Sequence, residues 1–183
     1  MTTSSLIDKC SHAMLYFFAY AVIGWLYEVF LEVVVYRWGF SNRGFLFGPY
    51  LPVYGFGALL LLAAFGPLRR RRILLGPVSI TPLLLFFGIM LLTTALELFT
   101  SYWMEWTAGG WQWDYSTYFC NFEGRIALNP SVRFGLGGLV FLYLMQPVLE
   151  KGVLRLGVQK SRLLALFLFV LVLADFLRAM FLK

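Results

Sequence analysis

Charge is scarce in this chain. Only 13% of its 183 residues are Asp, Glu, Lys or Arg, about half the ~25% usual for soluble domains. Hydrophobic residues make up 61% and the mean hydropathy is +0.79. That argues against a soluble fold, because a globule of 21 kDa has too little interior to hide so much apolar surface. Cysteine is nearly absent: Cys10 and Cys120 make no disulfide framework. His12 is the single histidine and no metal-ligand spacing exists, so neither a metal nor a cofactor is expected. No Gly-rich loop ending in Gly-Lys-Ser or Gly-Lys-Thr occurs, so the chain is not expected to hydrolyse nucleotide itself. The ~10-residue alternating segments of a membrane barrel are missing. A cleavable signal is not expected either, since Met1 to His12 is polar and the apolar run after it is too long.

Long apolar runs are present, and they predict an all-α, polytopic membrane bundle forming a single transmembrane domain over 1–183. The spans are expected at about 11–36, 51–67, 82–106, 131–149 and 162–181. Met1 to Cys10 reads as a disordered lead, and Ser11 as the cap of the first span. Arg37 to Gly57 carries Gly39, Gly44, Gly48, Gly55 and Gly57 with Pro49 and Pro52, which break a regular helix. Yet it is too apolar for an exposed loop. It reads either as a re-entrant entrance segment or as an interfacial turn anchored by Trp38 and Tyr50. The second span is expected to end at Gly66-Pro67, with an interfacial piece over Ile73 to Ile80. Ser79-Ile80-Thr81-Pro82 reads as a hydroxyl-capped helix start. Ala108 to Pro130 is a long aromatic connection of the kind that forms lids or binding loops. Ser131 is expected to cap the fourth span, Lys151 to Arg162 to be a basic connection, and Asp175 to pair with Arg178.

The basic residues report orientation. Arg69 to Arg72 stand between spans without interleaved aromatics, which fits a cytoplasmic turn rather than a nucleic-acid surface. With that turn inside, the inner side carries nine bases against Asp8 and Glu150, and the outer side six bases against seven acids. The protein is thus expected to be multi-pass in the cell membrane, amino terminus cytoplasmic and carboxyl terminus outside.

Acids inside the apolar runs are the candidate site. A charge at the bilayer centre costs roughly 2.5–3.5 kcal/mol on insertion scales. Glu97 shares a helical face with Thr93, Thr94, Thr100 and Ser101, and Glu28 and Glu32 share another. With the orientation above, all three acids fall in the outer halves of their spans, beside both unusual loops. The candidates for ligand binding are Trp25, Tyr27, Glu28, Glu32, Asn42, Arg43, Tyr54, Glu97, Asp114 and Arg125. The carboxylates suit a cation or proton path, the arginines a carboxylate or phosphate, and the aromatics, with Tyr102, a wall with polar tips. Three functions fit. One is a transporter-like component that binds or moves a small solute through an outer-facing polar cavity. The second is an intramembrane enzyme acting on a lipid or lipid-linked substrate. The third is a structural or assembly scaffold in which the acids and arginines neutralise each other.

The residues also carry a resemblance. Gly24-Trp25-Leu26-Tyr27-Glu28, the block from Asn42-Arg43-Gly44 through Tyr54-Gly55-Phe56-Gly57, Ala95-Leu96-Glu97, Trp113-Asp114-Tyr115-Ser116 and the block from Asn121 to Leu128 follow in order. This series resembles the bacterial membrane proteins labelled putative ABC-transporter type IV, or CmpB-like. The Trp-Asp-Tyr-Ser block is similar to the transmembrane protein 229 group. The resemblance implies a permease-like membrane component, and an ATP-driven activity would need a separate ATPase chain. The partners expected are then the lipid bilayer, a small-molecule or lipid ligand and that ATPase chain; a homo-oligomer stays open, and nucleic acid is not expected.

Overall fold

The computed structural model describes residues 3–42 and 44–181. Helix α1 covers Thr3–Phe30 and widens into a π-helical turn at Leu31–Val35. After an irregular stretch, α2 covers Pro52–Arg69. A two-residue hairpin follows, β1 at Leu74–Leu75 antiparallel to β2 at Val78–Ser79. Helix α3 covers Thr81–Ala108, and α4, Leu128–Val140, passes through a second π-helical turn at Phe141–Met145 into α5, Gln146–Leu156. Helix α6 covers Val158–Phe181. Five helical segments are long and apolar enough to cross a membrane, so the expected fold class is borne out.

The boundaries differ from the sequence reading where tertiary contact overrides local signals. The first helix begins at Thr3, not after a disordered lead, because Asp8 binds Arg162 of α6 at 2.7 Å and Leu15 packs with Ala165 and Leu168. Ser11 is therefore buried inside the helix, not its cap. Gly55 and Gly57, expected in irregular chain, lie in α2. That helix continues past Gly66-Pro67 to Arg69, since a proline so near the end removes only one hydrogen bond. The expected interfacial piece at Ile73 to Ile80 is the hairpin. The cap of α3 is Ile80, without a side-chain bond. The Thr81 hydroxyl instead donates to the Arg71 carbonyl and accepts the Ile73 amide, tying the hairpin down.

The fourth span starts at Leu128, and Ser131 lies inside it, donating to the Ala127 carbonyl. It runs on to Leu156, 29 residues. At 1.5 Å per residue that is about 43 Å, longer than the ~30 Å hydrocarbon core, so its basic end can be helical and still wet. The expected connection from Lys151 to Arg162 shrinks to Gly157, whose φ of 74° turns the chain directly into α6. The second π-helical turn presents the Leu142 carbonyl to Arg69 at 2.8 Å.

The chain packs as two compact units: Met1–Leu60 with Val148–Lys183, and Leu61–Pro147. In the first, α1 and α6 run parallel, with Asp8 at Arg162, Leu15 among Ala165 and Leu168, and Ala21 clustered with Ala179. In the second, α3 and α4 meet through glycine. A Cβ on Gly135 would sit 2.7 Å from the Phe86 ring, and one on Gly138 2.6 Å from Ile89. Close backbone approach of this kind is how helices associate where lipid removes the hydrophobic drive.

Candidate functional site

Six of the candidate residues belong to the first unit: Trp25, Tyr27, Glu28, Glu32, Asn42 and Tyr54. Gly24 explains how Tyr54 reaches Glu28. A Cβ there would overlap the Tyr54 ring at 2.2 Å. With only hydrogen at that position the ring lies flat on α1, and its hydroxyl donates to Glu28 one turn further on. Glu32, 6% exposed, sits in the π-helical turn and receives the Ser41 hydroxyl at 2.7 Å and its amide at 3.3 Å. Trp25 Nε1 donates to Asn42 Oδ1 at 2.8 Å, and Asn42 donates on to the Phe47 carbonyl at 2.9 Å. Tyr27 is exposed, a helical step away from the Glu28 face. Arg43 lies outside the described residues.

Sequence reading missed the second clamp on this loop. Asp175 of α6 accepts the amides of Phe47 and Gly48, at 3.3 and 2.9 Å, and the Tyr50 hydroxyl at 2.7 Å. Its hydrogen bonds thus go to the loop and not to Arg178, whose guanidinium lies 4.3 Å from the centre of the Phe47 ring. The reason is geometric: i,i+3 pairing on one helix is worth only ~0.2–0.5 kcal/mol, less than three bonds to a carboxylate. Burial, and then the Asp175 carboxylate, push the Tyr50 hydroxyl above the usual phenol range. The signal was available, since Asp175 is an acid in an apolar run, as Glu97 is.

Glu97, Asp114 and Arg125 belong to the second unit. Glu97 Oε1 accepts the Tyr115 hydroxyl at 2.9 Å. Its Oε2 is buried without a hydrogen-bond partner among the described residues. None of the hydroxyls read as sharing the Glu97 face bonds to its carboxylate among the described residues. Thr93 bonds back to the Ile89 carbonyl, Thr94 to Ser131, and Ser101 to the Leu98 carbonyl, while Thr100 is exposed. Short hydroxyl side chains in a helix satisfy themselves on the preceding turn. Burial, then the bond to Glu97, raises the Tyr115 hydroxyl above its ordinary value.

Arg125 is 5% exposed and fully engaged. It binds Glu105 at 2.6 Å, Glu123 at 3.1 Å and the Ser101 hydroxyl at 3.5 Å. Its guanidinium lies between two rings, 4.1 Å from the centre of Tyr102 and 3.8 Å from that of Trp111. Burial opposes the charge, but the bonds with Glu105 and Glu123 hold the group above its ordinary value. Trp113 Nε1 donates to the Arg125 carbonyl at 2.8 Å, whereas Trp111 Nε1 is buried with no partner among the described residues. Glu123 also takes the Tyr102 hydroxyl at 2.9 Å and holds a φ of 52°. Asp114 is exposed and closes a turn, accepting the Ser116 amide at 2.8 Å and hydroxyl at 3.1 Å. The sequence had singled out Arg125 and, in the aromatic wall, Tyr102, but it did not join them to Glu105 and Trp111, which come from separate elements. Among the described residues no three His, Cys, Asp or Glu side chains group as metal ligands, and Cys10 and Cys120 are free and exposed.

No curated protein and no solved structure matches the chain. The sequence pattern of the family described as Putative ABC-transporter type IV matches residues 15–180. That stretch takes in both polar clusters and all or most of each membrane-length helix among the described residues, and the chain belongs to this family.

Proposed function

We propose that the protein is a transporter-like membrane component in which Glu97 exchanges a small cationic solute, a metal cation or a proton. The observation that carries this reading is the Glu97 carboxylate, bonded on one oxygen by Tyr115 and buried without a partner on the other. An unpaired carboxylate oxygen inside a membrane-length helix is costly unless something transient fills it. Family membership supports a transporter component, and an ATP-driven mechanism then calls for a separate ATPase chain. We further propose the cytoplasmic amino terminus and extracytoplasmic carboxyl terminus read from the charge distribution; parallel α1 and α6 agree with an odd number of crossings.

A scaffold role is favoured by one observation, the enclosure of Arg125 by Glu105, Glu123, Tyr102 and Trp111. We assign that cluster to bracing the loop, not to ligand binding. The lipid-enzyme reading draws no support from it, because an arginine so committed has little left for a phosphate. Vesicles holding purified protein and a trapped pH dye separate the two readings of Glu97. Under an imposed proton or potassium gradient, wild-type vesicles should relax at least about tenfold faster than Glu97→Gln vesicles. Equal rates, with a lowered melting temperature for the variant, would make Glu97 a structural group.

A further inference from the structure

A groove of about 1240 Å³ runs along the first unit between α1, the start of α2 and α6. Ala13 and Phe17, Val53 and Phe56, and Leu166 and Phe169 form its walls, and almost all of its surface is apolar. Along α6 it extends from Arg162 to Phe176, about 21 Å at helical rise, more than the ~15 Å of one leaflet's hydrocarbon. Its volume exceeds the ~300–1,000 Å³ of small-molecule pockets, and its shape suits hydrocarbon chains.

The two ends are unlike. At the Arg162 end the starts of α1 and α6 meet the end of α5, where Ser161 bonds to Val153 and Val153 packs on Leu15. Lys9, Lys151, Arg155 and Lys160 are exposed there. The acids nearby are Asp8, held by Arg162, and Glu150, which is half-buried. The opposite end is walled by Phe45 and Phe176. A second copy packed around an axis normal to the membrane would set one basic end beside another, which like-charge repulsion disfavours. An anion at the basic end is attracted by several bases at once.

We propose that this groove holds an anionic phospholipid, with its acyl chains along α6 and its phosphate among Lys9, Lys151, Arg155 and Lys160. The test is native mass spectrometry of protein released from vesicles of equal phosphatidylglycerol and phosphatidylcholine. Wild type should retain one phospholipid, enriched in phosphatidylglycerol on the order of fivefold for each base engaged. Ala13→Phe, which fills the groove, should lose the lipid. The combined variant Lys9→Gln, Lys151→Gln, Arg155→Gln, Lys160→Gln should keep a lipid without headgroup preference; all four sites are exposed, so it decides the matter even if Ala13→Phe does not fold. Retention of both headgroups equally by wild type, or a lipid-free dimer in its place, would overturn the proposal.

Discussion

The two units each set a glutamate in a membrane-length helix against a tyrosine hydroxyl, Glu28 with Tyr54 and Glu97 with Tyr115, but the loops beside them are built with opposite polarity. In the first unit the helices supply the acids and the loop supplies neutral donors. Glu32 and Asp175 hold the loop at Ser41 and at Phe47 to Tyr50. In the second unit the loop brings a cation, Arg125, to Glu105 and to aromatic faces. The donors to the acids of the first unit are hydroxyls and backbone amides. A cation neutralises its acids outright and needs aromatic walls to shield it. Among the described residues the second arrangement leaves two buried atoms without a hydrogen-bond partner, Glu97 Oε2 and Trp111 Nε1, and the exchange proposed for Glu97 rests on the first of them.

That contrast can be broken by substitution. The largest effect is expected for Arg125→Met, which strands Glu105 and Glu123 beside an emptied aromatic cleft. Its melting temperature in detergent should fall more than that of any other single variant below, and a fall no larger than theirs would remove the bracing role. Gly24→Val drives a side chain into the Tyr54 ring and should cost about 1–3 kcal/mol by overpacking. Because Tyr54 must lift off α1, limited proteolysis should open the loop between residues 36 and 51 in this variant and leave the connection at 109–127 intact.

Asp175→Asn keeps the shape but weakens the bonds to Phe47, Gly48 and Tyr50, for a loss of about 1 kcal/mol in denaturant titration. The same clamp has a pH signature. Unfolded tyrosine loses its proton near pH 10, whereas folded Tyr50 keeps its own to higher pH. Protons are then bound more in the folded state, so stability is whole below pH 10 and is lost as pH climbs beyond it. Tyr50→Phe should flatten that alkaline slope without altering stability's dependence on pH near neutrality. The two loop tryptophans differ, and the smallest effect of all falls on Trp111. Trp113→Phe gives up a hydrogen bond to the Arg125 carbonyl and should cost about 1 kcal/mol. Trp111→Phe removes a donor that bonds to nothing in the described residues, and should change stability by less than about 1 kcal/mol.

Much of this was readable from the chain. The apolar runs gave the number of spans, and the cost of a carboxylate in such a run pointed to Glu28, Glu32 and Glu97. The same argument applied to Asp175 would have found the loop clamp, had it not been assigned the nearer partner Arg178. Helix ends were read less well. Ser11, Ser131 and Thr81 looked like caps because hydroxyls favour that position, yet each lies inside or beside a helix that contacts elsewhere extend or shorten. Asp8 with Arg162, 154 residues apart, is one such contact.

The sequence by itself determined that this chain folds as membrane-length helices, because hydrocarbon accepts little else from so apolar a composition. It also determined which ionisable groups must find company there. Only the tertiary structure decided whose company: that Tyr54 crosses Gly24 to Glu28, that Asp175 gathers the amides of a distant loop, and that Arg125 is surrounded by partners while one oxygen of Glu97 is buried without one among the described residues. Pairings of this kind depend on side chains that meet across long separations in the chain, and no local pattern of residues encodes the direction in which a helix face will turn.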